Sequence, residues 1–125
     1  MKKPSKSSLT RKLDKLISQI VHQRGKCQRC GSTETLQAAH IFSRQFRNTR
    51  WDEKNILLLC AKCHFWSHHE PTEFAEFVKK MLIPKEYAQL LVNKELIWDR
   101  TLKDMMELYD ELLAHYKTFS GSFFP

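Results

Sequence analysis

Three observations predict an α+β fold. The chain has two C-x2-C pairs separated by 29 residues, two short apolar stretches around that gap, and helix-spaced apolar stripes toward both ends. The architecture they imply is a small zinc-stabilised ββα core flanked by an N-terminal helix and several C-terminal helices. A length of 125 residues suits one domain, and 42% hydrophobic residues suffice for a core.

Residues 1–8 are rich in Lys, Ser and Pro and read as a disordered basic tail. From Leu9, the residues Leu13, Leu16, Ile17, Ile20 and Val21 keep helical spacing, with Ser8 or Thr10 as cap and Gly25 as stop. CQRCGS (27–32) reads as a tight turn and TLQAAHIF (35–42) as a short strand. RQFRNTRWDEK (44–54) is a polar, basic loop, and NILLLC (55–60) is a second, wholly apolar strand. The chain then turns helical to about His69. Pro71 breaks that helix, and Thr72 is the expected N-cap of the next, whose Phe74, Phe77, Val78 and Met81 share a face. Pro84 ends it. A helix over 85–93 and another over 93–116 follow. The last carries the stripe Trp98, Leu102, Met105, Met106, Tyr109, Leu112, Leu113 and Tyr116. The organisation expected is a tail (1–8), a zinc-framed core with its N-terminal helix (9–82), and a C-terminal helical extension (83–125).

The four cysteines are Cys27, Cys30, Cys60 and Cys63. A C-x2-C turn sets two thiolates on one side of a bend, and two such turns complete a tetrahedral shell for structural Zn2+. The competing readings are two disulfides, which a reducing compartment disfavours, and four unrelated thiols, which the paired spacing disfavours. A four-thiolate shell is closed, so this zinc does not need the nearby histidines.

No apolar run approaches the roughly 18–20 residues of a membrane span. The basic start lacks the apolar stretch of a secretory signal, so a cytoplasmic protein without membrane association is expected. Charge is uneven: residues 1–50 carry twelve Lys/Arg and two acids, residues 51–125 nine and twelve. A basic half points to a polyanion, most simply nucleic acid.

CHFWSHHE (63–70) holds the histidines. His64 and His68 stand four apart and share a helical face, as a chelating pair would. His69 points about 100° away from His68. His40 ends the first strand and Asn55 begins the second. The pattern AHI…N…LC..CH...H resembles the HNH, or ββα-metal, nucleases. Its framing cysteine pairs are similar to those of endonuclease VII-type Holliday-junction resolvases. The fuller AHIFSRQFRNTRWDEKN stretch is similar to the phage NinG/Rap recombination nucleases.

The resemblance covers about residues 26–82. It implies His40 as general base, Asn55 as the residue that holds the catalytic loop, and His64, with His68, as ligands of a catalytic divalent cation (Mg2+ or Mn2+, with Zn2+ a further option). It also implies a 5′-phosphate and a 3′-hydroxyl product, a branched DNA substrate and, for a phage-encoded chain, the host cytoplasm. Many family members carry Asp or His just before the base, where this chain has Ala39. The metal would then use His68, or Asp52 from the loop, or bind weakly until a substrate phosphate completes the site. A degenerate, binding-only site is the other reading of Ala39.

Arg44, Arg47 and Arg50 lie between the base and the second strand, where planar guanidinium groups match phosphate geometry. Arg44 is also expected to assist catalysis. Lys2, Lys3, Lys6, Arg11 and Lys12 form a candidate DNA-tracking arm, whereas Trp51 reads as core. The C-terminal stripe either packs on the domain's own helices or pairs with a second copy to give a homodimer. The leading function is therefore a metal-dependent endonuclease. Its rivals are a zinc-dependent nucleic-acid binding module without chemistry and a zinc-stabilised protein–protein adaptor.

Overall fold

The computed structural model describes residues 4–123, with side chains through residue 118. The order is α1 (Lys6–His22), β1 (Leu36–His40), α2 (Arg47–Arg50), a 3-10 turn (Glu53–Asn55), β2 (Ile56–Cys60), α3 (Ala61–His69), α4 (Pro71–Met81), α5 (Pro84–Glu95) and α6 (Leu102–Phe123). This is the expected α+β arrangement. Among the described residues no helix is long and apolar enough to cross a membrane.

α1 starts earlier than its apolar stripe suggests. Ser5, not Ser8 or Thr10, is the N-cap, and Ser5 and Ser8 form a reciprocal capping box. Residues 6–8, expected to lie in a disordered tail, are thus the first turn of the helix. Lys2 and Lys3 lie outside the described residues. Pro71 does not merely end α3: it occupies the first turn of α4, where its missing N–H costs nothing, so Thr72 falls inside the helix instead of capping it. The last two helices are separated by an extended stretch, and Trp98 sits there, ahead of α6.

β1 and β2 pair antiparallel, with His40 opposite Ile56 and Leu36 opposite Cys60. All five residues of β2 are buried, because the two-stranded sheet separates two cores and β2 faces both. Ile56 and Leu58 pack with the buried face of α1, with Trp51 and with Met105 of α6. Leu57 and Leu59 pack with Ala39, the cysteine cluster, Val78 of α4 and Leu90 of α5.

α6 lies on α1, not beside the domain. Leu102, Leu108, Tyr109, Leu112, Leu113 and Tyr116 pack against the α1 core, as does Trp98, and the Gln23 side chain donates to the Tyr116 carbonyl at 3.2 Å. The stripe that suggested a homodimer is used within the chain. Of its members Met106 is exposed.

Candidate active site and zinc centre

The two cysteine turns meet at the start of α3. Each of Cys27, Cys30, Cys60 and Cys63 offers a sulfur, and the four lie within 4.8 Å of one another. Cys30 Sγ and Cys60 Sγ are 3.7 Å apart, against about 3.8 Å for the edge of a tetrahedron with Zn–S bonds of about 2.3 Å. The first turn is built for this. The Gly31 N–H donates to the Cys27 carbonyl at 2.9 Å and the Cys27 N–H to the Ser32 carbonyl at 2.8 Å. Gly31 has φ +80°, a conformation natural to glycine.

Burial raises the Cys27 thiol, but backbone N–H groups of Cys30, Cys60 and Arg29 outweigh it and hold it down to about 6. Burial pushes Cys63 up to about 12, against the pull of Arg29. Arg29 reaches to 3.5 Å from Cys63 Sγ, with its guanidinium carbon over Trp66, 3.7 Å from the ring centre. The donor set fits structural zinc: four soft sulfurs, no open position, and a cation beside the excess negative charge.

A cleft of about 920 Å3 runs over β1. α1 contributes Asp14, Ile17, Ser18 and His22 to its lining, α3 contributes His64, Ser67 and His68, and the chain after β1 contributes Phe42 and Arg44. His40 stands among them, half-buried. Its Nε2 is 2.9 Å from the Arg50 carbonyl oxygen. A carbonyl only accepts, so Nε2 carries the proton and Nδ1 keeps a bare lone pair. Burial and the Arg44 and Arg50 charges lower the His40 pKa; the Arg50 carbonyl and Asp14 oppose them without reversing the shift. The ring is therefore neutral at pH 7.

Asn55 is fully buried. Its Oδ1 accepts from the Phe42 N–H at 2.9 Å, and its Nδ2 donates to the carbonyls of Phe42 and Thr49, each at 3.0 Å. One side chain thus ties both ends of the segment between His40 and Arg50.

On α3, His64 Nδ1 donates to Gln37 Oε1 at 2.7 Å, which leaves Nε2 as the free donor atom for a cation. Burial, then the charges of His68 and His40, lower the His64 pKa. The His68 ring stands one turn on, with its centroid 5.0 Å from that of His64. His69 leaves the pair and stacks on Phe65 at 3.6 Å.

Ala39 is 1% exposed and belongs to the core, so this position offers no ligand atom to the cleft. Gln37, two residues earlier and on the same side of the strand, is the residue that meets His64. It was not singled out in the sequence, although the alternation of a strand puts it on the Ala39 side, facing α3.

Several sequence expectations change. Arg50 is not a free phosphate ligand: its Nε and terminal nitrogen bind the Asp14 carboxylate at 2.9 and 2.7 Å. Arg47 faces Trp98 at 6.0 Å and does not line the cleft. Asp52 is not a cleft ligand either, since it caps the 3-10 turn through the Lys54 N–H and lines a separate hollow beside α5. Trp51 is core, 5% exposed, and donates from Nε1 to Asp14.

Arg44 does line the cleft, with its side chain 59% exposed and 3.7 Å from Asp14. Lys6, Arg11 and Lys12 are exposed on α1. Arg11 shares the helical row of Asp14, Ser18 and His22, whereas Lys12 lies about 100° around from Arg11.

Residues 27–70 match the family model of the HNH endonucleases. The matched span holds all four cysteines, His40, Asn55, His64 and His68; α1, α4, α5 and α6 lie outside it. The similarity suggests a nuclease and, with it, DNA as partner. It does not single out the phage recombination or junction-resolving members. No curated protein and no solved structure matches the chain.

Proposed function

We propose that this chain is a metal-dependent DNA endonuclease with His40 as general base and a divalent cation held by His64 and His68. The observation that carries the reading is the commitment of His40 Nε2 to the Arg50 carbonyl, which leaves Nδ1 bare on a residue that lines the same cleft as His64 and His68. Nδ1 takes a proton from a water molecule whose oxygen attacks phosphorus. The bond from phosphorus to the bridging 3′ oxygen breaks, and that oxygen takes a proton from solvent. The products are a 5′-phosphate and a 3′-hydroxyl. When bound, the cation supplies positive charge to the phosphate and its leaving oxygen.

Asn55 keeps the loop in register, and Arg44, largely exposed and only loosely paired with Asp14 at 3.7 Å, can reach a flanking phosphate. Arg11 extends the basic track along α1. Phosphate contacts of this kind position a duplex without reading its sequence. The sequence carries no recognition-helix motif, so structure-selective or weakly specific binding is inferred, with branched DNA as the substrate the family resemblance suggests. Two imidazoles suit Zn2+ or Ni2+ better than Mg2+, which prefers oxygen ligands.

The test is zinc-loaded protein with Mg2+, Mn2+, Ni2+ or added Zn2+ on branched, nicked and linear DNA. Cleavage of branched DNA that His40→Ala abolishes is the expected result. Binding with no product under any cation would replace the proposal with a zinc-dependent binding module.

A further inference from the structure

Asp14 is the one acid among the first 33 residues of the chain and lies outside the span that matches the nuclease family. Its carboxylate is nonetheless the anchor of the cleft. Oδ1 accepts from Arg50 Nε at 2.9 Å and Trp51 Nε1 at 2.8 Å, and Oδ2 accepts from the Arg50 terminal nitrogen at 2.7 Å. This is a two-pronged arginine–carboxylate pair, the geometry in which both partners lose most freedom. The Arg50 side chain is only 17% exposed. The main chain of the same residue then performs a second task, because its carbonyl oxygen receives the Nε2 proton of His40.

We propose that Asp14 is a positioning residue for hydrolysis: from α1 it holds residue 50 in place, so that the Arg50 carbonyl fixes the tautomer and direction of His40. The inference rests on the nuclease reading of the cleft. Asn55 fastens the segment one residue earlier, at the Thr49 carbonyl, and cannot by itself set the rotation of the next peptide. Trp51, on the other side, also ends on Asp14. With the carboxylate removed, the Arg50–Trp51 peptide keeps the bond from the Trp51 N–H to the Thr49 carbonyl but loses both side-chain tethers to α1, which gives it room to turn. Its carbonyl is then no longer a fixed acceptor, and the His40 ring exchanges between its two neutral forms. One of those forms has a proton on Nδ1 and is useless as a base.

The test uses the full chain with zinc bound. Imidazole 15N shifts report the His40 tautomer directly and need no activity. In the unaltered protein Nε2 should carry the proton. In Asp14→Ala the two nitrogens should move toward averaged shifts, with zinc content unchanged. On DNA, kcat should fall roughly 10- to 100-fold, with KM changed much less. Asp14→Glu should restore part of both readouts, because a carboxylate remains to engage Arg50.

If Asp14→Ala does not fold, Arg50→Lys serves in its place: it keeps the charge, loses the two-pronged contact, and should give the same change in shifts. A folded variant with the His40 tautomer unchanged overturns the inference even if cleavage falls. If the unaltered protein cleaves nothing, the nuclease reading fails, and the shifts still decide whether Asp14 controls His40.

Discussion

Replacing Asn55 with Ala should cost far more than the loss of one surface amide. The side chain is fully buried and makes three hydrogen bonds, all to main-chain groups of the loop. At about 1 kcal/mol net for each bond, the loss is about 3 kcal/mol. A protein of this size with an m-value near 1.5 kcal/mol/M should then unfold at a urea concentration lower by about 2 M. Unfolding should be followed by far-UV circular dichroism at fixed free zinc, because bound metal itself adds to stability. Asn55→Asp is the sharper companion. It can still accept from the Phe42 N–H, yet it turns a buried carboxylate toward two carbonyl oxygens, so its loss should be at least as large. A midpoint shift below about 0.5 M for both variants would refute the role assigned to this residue.

Other outcomes follow from the same geometry. His40 and His64 both have pKa values below the ordinary 6.5, mainly through burial. The fold therefore favours their neutral forms, and their protonation favours the unfolded chain. Stability should fall as pH drops through about 6.5 and level off below the folded values. His40→Gln should reduce that dependence in denaturation measured across pH 5–8. Arg44→Ala should weaken DNA binding and reduce the salt slope by about one unit, with the melting temperature unchanged; Arg50→Ala should lower the melting temperature instead, and the two assays together check the division of labour. Arg29→Ala removes the cation beside Cys63 and the cover on Trp66, so zinc affinity, read by competition with a chelator, should drop roughly tenfold.

The zinc shell was legible because its information is local: a C-x2-C spacing fixes two sulfurs whatever the rest of the chain does. β2 was equally plain, since five apolar residues in a row need cover on both faces. The arginines were not. Arg44, Arg47 and Arg50 recur at a spacing of three and look alike, yet one is exposed in the cleft, one leans toward Trp98 and one is pinned to Asp14. The pairing of Asp14 with Arg50 and Trp51 spans 36 and 37 residues, and no periodicity records a contact of that range. The same contacts give a structural reason for Thr-Arg-Trp-Asp at 49–52. Thr49 is buried, Arg50 and Trp51 hold the carboxylate, and Asp52 caps the next turn. The boundary of α4 is ambiguous in the sequence for a simpler reason: a proline that stops one helix can equally open the next, as Pro71 does.

The packing of α6 on α1 has a consequence for the order of events at the ribosome. The apolar face of α1 is made first, while Met105 and the leucines that cover it come about 80 residues later. At roughly 5–20 residues per second that is a wait of roughly 4–16 s. Through that interval the helix that carries Asp14 lacks its cover. The packing around the helix that positions Arg50 is therefore completed only when α6 has been translated and docked.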